Sequence, residues 1–173
     1  MESFFEILKY TLPAIIVFIA TYFVTKSFFD NESQKRRLDF RLNNQKLITP
    51  VRLQAYERLT LLLERISPES LIMRTQAQGM NSKQLQSDLL SIIRAEFDHN
   101  LSQQIYVTPQ AWEIIKSTRE NIVKLINSCS DTVKADAPAI ELSKRILEVI
   151  MSNEKNPTSM ALDFLKAEIK QFI

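Results

Sequence analysis

The chain holds one histidine, His99, and one cysteine, Cys129, and these are the first residues to weigh for chemistry. A metal site or an acid–base pair at His99 would need further ligands or carboxylates at fixed spacing. Asp98 and Glu96 are near in sequence, but there is no HExxH or CxxC pattern. His99 therefore reads as a solvated residue near a helix end. Cys129 falls on the apolar face of a helix with no basic neighbourhood to stabilise a thiolate, so it reads as a buried inert thiol. Two charges fall where apolar residues are expected. Arg119 lies in the stripe between Ile115 and Ile122, and Glu96 lies among Leu85, Leu89 and Ile92. A buried charge must be paired or reach water. Either Glu96 and Arg119 meet across a helix interface, or both sit at the rim of the core and reach out. Trp112 and Tyr56 read as core or core-edge residues.

The basic cluster Lys35-Arg36-Arg37, with Arg41 one turn on, could contact phosphates of lipid headgroups or of RNA. From Lys26 to Arg52 there are seven basic and three acidic residues; from Leu53 to Ile173 there are fourteen and fifteen. The positive excess is thus local, and a nucleic-acid footprint over the whole domain is not expected.

The element expected to position this cluster is an apolar run, Tyr10–Thr25, bracketed by Lys9 and Lys26. Read with its aromatic flanks to Phe29, it suits one membrane-spanning helix, the lysines snorkelling to the headgroups. A cleavable signal peptide fits less well. Glu2 and Glu6 precede the run, and no small-x-small cleavage pair follows it. A buried core helix is the other alternative. The excess of Lys and Arg after the run orients the amino end outside and the remainder in the cytoplasm. The expected layout is an extracytoplasmic 1–9, a transmembrane 10–29, a basic juxtamembrane linker or stalk 30–48, and a cytoplasmic helical domain 49–173, in a bacterial inner membrane.

The fold class reads as all-α: one amino-terminal transmembrane helix, then about five helices in an antiparallel bundle. Glycine occurs once, at Gly79, which argues against hairpins, phosphate-cradling loops and dinucleotide-binding crossings. Five of the six prolines sit where helices begin, at Thr49-Pro50, Ser67-Pro68, Thr108-Pro109, Ala137-Pro138 and Asn156-Pro157. Pro13 starts or kinks the first helix. The helix from Pro50 to Ile66 turns Val51, Ala55, Leu59, Leu62 and Ile66 inward, with Tyr56 and Leu63 at the edge. A short turn follows at Pro68–Arg74, then a helix capped by Asn81 or Ser82 and a helix Pro109–Ser130. The helix Pro138–Ser152 is apolar round more than half its circumference, as if packed on two sides. The last, Pro157–Phe172, turns Leu162, Leu165, Ile169 and Phe172 inward and Met160 and Phe164 away.

The stretch from Leu53 to Leu71 (LQAYERLTLLLERISPESL), running on to Arg74, resembles a block in a family of uncharacterised bacterial membrane proteins. The resemblance implies one spanning segment followed by a helical cytoplasmic domain. It implies no activity and no functional residues. The layout is also similar to that of membrane-anchored stator subunits of rotary ATPases, but prolines break any long stalk after Ile48 and no sustained heptad follows.

No catalytic signature stands out, and no cofactor, metal or small-molecule substrate is expected. The function expected is that of a membrane-anchored, non-enzymatic interaction or scaffold protein, its partners the bilayer and either another protein or a second copy. The alternative is a lipid or nucleic-acid binder working through the basic segment. An enzyme would need a polar pocket that the sequence does not reveal.

Overall fold

The computed structural model describes residues 2–152 and 156–170, with side chains from Ile15 onward except those of Arg41 and Asn44. Among these residues six α-helices follow in order: α1 (Glu2–Arg65), α2 (Pro68–Thr75), α3 (Ser82–His99), α4 (Pro109–Ser130), α5 (Ala139–Ser152) and α6 (Pro157–Ile169), with a 3₁₀ segment at Leu101–Ile105. No strand occurs among the described residues; Asn81 and Pro138 form a lone bridge. The chain divides into two compact units, Met1–Ile48 and Thr49–Ile173.

The first unit corrects the expected topology. No helix among the described residues is long and apolar enough to cross a membrane. The apolar run ends at Thr25, and Lys26, Asp30 and Glu32 follow it. The spanning helix 10–29, the single-pass topology and the inner-membrane location are therefore overturned, and with them the roles of Lys9 and Lys26 as flanks. Lys9 and residues 10–14 of the expected span lie outside the described side chains. Along the rest of this unit Phe18, Phe23, Phe28, Phe29 and Phe40 are exposed.

Thr49-Pro50 is not a helix start either. Helix α1 runs through it to Arg65, although proline there lacks the N–H that would bond the Lys46 carbonyl. Nor does Pro13 start a helix, since α1 begins at Glu2; Pro138 stands just before α5, and Ser67 ahead of α2 makes no side-chain cap bond. Pro68, Pro109 and Pro157 open α2, α4 and α6, and the Thr108 and Asn156 side chains accept from Ala111 N–H and Thr158 N–H. Asn81 caps α3 with a reciprocal box: its Oδ1 accepts from Gln84 N–H while Gln84 Oε1 accepts from Asn81 N–H. The next two N–H groups of that end, on Ser82 and Lys83, donate to the carbonyls of Ala137 and Ala135. The loop before α5 thereby satisfies donors that a helix leaves open. Gly79 turns the α2–α3 loop at φ +82°, where L side chains are strained.

The second unit has one core. Leu59, Leu62, Leu63 and Ile66 of α1 pack with Leu71 of α2, Leu85, Leu89 and Ile93 of α3, Ile115, Ile122 and Ile126 of α4, Leu142 and Ile146 of α5, and Leu165 of α6. The inward stripe of α1 is rotated from the one expected: Tyr56 and Leu63 are fully buried while Val51 is exposed. In α6, Phe164 packs against the core instead of facing away, Met160 is exposed, and Phe172 lies outside the described residues. Helix α5 contacts α2, α3 and α4 and still leaves Ile140 exposed.

Candidate functional site

Helices α3 and α4 run antiparallel along the second unit, and their outer faces enclose a groove of about 480 Å³. Helical spacing builds it. Leu90, Ile93 and Arg94 lie a turn apart on α3; Arg119, Glu120, Val123, Lys124 and Asn127 do so on α4. The floor is apolar: Leu90 and Val123 are half-buried and Ile93 is buried. The Gln86 side-chain amide closes one end, donating to Asn127 Oδ1 at 2.9 Å. At the other end the Arg119 guanidinium lies 4.2 Å above the Phe97 ring, and Phe97 stacks on Trp112 at 5.4 Å. The planar cation suits the ring's negative face, so Arg119 is held in place without being neutralised. Its contact with Glu120 is long, 3.6 Å. Arg94 and Lys124 are exposed at the rim. Three cations therefore surround an apolar floor that carries one carboxylate.

Glu96 and Arg119 do not meet. Glu96, half-buried, pairs with Arg65 of α1 at 2.9 Å and lines a separate recess between α1 and α3. Arg119 turns to the α3–α4 groove on the other side of Phe97. Both sit at the edge of the core, with side chains 14% and 32% exposed. Lys26, Lys35, Arg36 and Arg37 are exposed in the first unit, and Arg36 pairs with Glu32 one turn before it at 3.1 Å. The side chain of Arg41 lies outside the described residues.

His99 is exposed at the end of α3. Among the described residues no three of His, Cys, Asp and Glu converge to hold a metal ion. Cys129 is buried on α4, and burial pushes its thiol up from 9.0 against a weak opposing pull from Arg145. A raised thiol is less often a thiolate and so less reactive.

A buried polar cluster escaped the sequence reading. Glu168 of α6 is 8% exposed and accepts a short hydrogen bond from the Thr108 hydroxyl, the same side chain that caps α4. Tyr56 of α1 lies beside this carboxylate. Burial first, then the Glu168 hydrogen bond and charge, raise its phenol from 10.0, and Arg52 opposes them. The Arg52 Nε donates to the Tyr106 carbonyl at 3.2 Å. The cluster ties α1 and α6 to the segment that enters α4. Its signal lay in the spacing of Thr158, Ala161, Leu165 and Glu168, which share one face of α6.

These two shifts set an alkaline limit on stability. The thiol and the phenol ionise earlier in the unfolded chain than in the native one. From about pH 9 upward the unfolded state has therefore released protons that the native state retains, and stability falls as pH rises through the native values. Denaturant titrations at about pH 8 and about pH 10.5 are expected to show this loss. Cys129→Ala should flatten its lower part and Tyr56→Phe its upper part. An unchanged pH profile in both variants would show that neither group is linked to folding.

No curated protein and no solved structure matches the chain. The profile of a family described as being of unknown function, DUF7935, matches residues 2–172, and nothing in that match ties the family to membranes. The match covers nearly the whole sequence, and the chain belongs to the DUF7935 family.

Proposed function

We propose that this protein is a non-enzymatic helical interaction module whose second unit docks a segment of a partner protein between α3 and α4. The observation that carries the reading is the groove itself. It is long, open and apolar at the floor, with fixed ends and a charged rim. Helix-in-groove recognition uses such a surface: apolar anchors enter the floor and the rim sets orientation and choice of partner. The basic segment supports the alternative, a phosphate binder, less well. Glu32 offsets Arg36, and Asp39 follows two residues after Arg37.

Photo-crosslinking in intact cells tests the proposal. A crosslinking amino acid at Val123, in the groove, is expected to give one discrete protein adduct, with none from the same residue at Ile140, which is exposed on α5. Equal adduct patterns from the two positions would refute it.

A further inference from the structure

Resting on that reading, we infer that the segment docked between α3 and α4 is an acidic amphipathic helix, whose carboxylates are read by Arg94, Arg119 and Lys124. The second unit as a whole is close to charge balance, so its general field gives no preference for acidic partners. The preference is local. Of the eight residues that line the groove, three are cationic and one is anionic. Glu120, that one anion, is half-exposed and meets Arg119 only at 3.6 Å.

Arg119 carries the argument furthest. Its side chain is 32% exposed and its guanidinium faces Phe97. The ring holds the guanidinium by its face, and an aromatic face does not neutralise the charge of the fork. A carboxylate arriving along the groove can therefore accept two parallel hydrogen bonds without disturbing the stack. On α4 Lys124 stands about one and a half turns from Arg119 toward the Gln86–Asn127 closure, and on α3 Arg94 stands less than one turn from Phe97 in the same direction. The floor residues Leu90, Ile93 and Val123 lie between them. A helix laid along this floor places apolar side chains at i, i+3/i+4 and i+7 on the floor. Its flanking positions then fall against the rim cations. From Arg119 to Asn127 the lining of α4 rises roughly 12 Å, enough for about two turns of the occupant. Like charges at those flanking positions would be repelled, which makes the rim a filter as well as an attraction.

The test uses the full chain and three synthetic helical peptides of one length. They share leucines at i, i+4 and i+7, and carry glutamate, glutamine or lysine at the flanking positions. Binding is read by fluorescence anisotropy. The glutamate peptide is expected to bind at least about tenfold more tightly than the glutamine peptide, with a margin that shrinks as salt is raised. The lysine peptide should be weaker still. Arg94→Glu and Lys124→Glu change exposed residues and leave the core intact, so each should remove most of the margin. Arg119→Gln should remove it while leaving binding of the glutamine peptide unchanged. Equal binding of all three peptides, or a margin that survives the charge reversals, overturns the acidic-helix inference. So does a failure of every peptide to bind. If the Val123 adduct still forms in cells in any of those cases, the docking reading stands and only the chemistry of the occupant is wrong. If that adduct is also missing, the docking reading fails.

Discussion

Leu59→Ala is expected to destabilise the second unit by about 2–5 kcal/mol, the range for removing a fully buried leucine where the surroundings collapse only partly. Leu59 is 0% exposed and belongs to the core of the second unit. A domain of this size has about 5–15 kcal/mol in hand, so the variant should lose a large part of its stability or fail to fold. The control lies two residues away. Leu61 is on the same helix, has the same composition and is 54% exposed; Leu61→Ala should change stability by no more than about 0.5 kcal/mol. Urea titrations of both variants decide the matter. Equal losses would mean that α1 packs in another register from the one seen, and the rotated stripe through Tyr56 and Leu63 would be wrong.

The second large effect concerns Thr108. Its hydroxyl accepts from Ala111 N–H as the cap of α4 and donates to the buried Glu168 carboxylate. Thr108→Ala removes both. Loss of the cap costs about 0.5–2 kcal/mol, and loss of one of the donors to the buried carboxylate, which keeps Tyr56 beside it, costs about 1–3 kcal/mol more. The expected total is about 2–4 kcal/mol from a side chain of three heavy atoms. Thr108→Ser keeps the hydroxyl and should lose less than about 1 kcal/mol. The coupling is separable. In Thr108→Ala combined with Glu168→Leu no carboxylate remains to be orphaned, so the double variant should lose less than the sum of the singles. Additive losses would show that Thr108 acts on α4 alone and that Glu168 gains nothing from it.

Much of the second unit could be read directly from the residues. Proline after Ser, Thr or Asn marks a helix start for local reasons: fixed φ, an absent donor that the first turn does not miss, and a side chain that accepts from the next free N–H. Those reasons need no tertiary partner, and α4 and α6 begin where they indicate; α2 begins at its proline without a cap bond from Ser67. The same local logic failed at Thr49-Pro50. A proline inside a helix loses one hydrogen bond, and packing of the flanking turns can offset that, which the pair itself does not encode. The Tyr10–Thr25 expectation failed for a different reason. It reached spanning length only by counting the flanks out to Phe29, and no helix among the described residues is long and apolar enough to cross a membrane.

The candidate groove was half legible. Arg119 stood out because a charge inside an apolar stripe demands an account, but periodicity gives only the angle of a side chain on its own helix. It cannot say which helix faces it. Arg65 rather than Arg119 reaches Glu96, and Phe97 rather than a carboxylate holds Arg119. Arg94 and Lys124, unremarkable on two separate wheels, become one rim only when α3 and α4 lie side by side. The amino-acid order determined the helices, their caps and which faces are apolar, because those depend on contacts within about four residues. Only the packing decided which charges became neighbours and which carboxylate was buried, because those contacts join residues far apart in the chain, 60 positions in the case of Thr108 and Glu168.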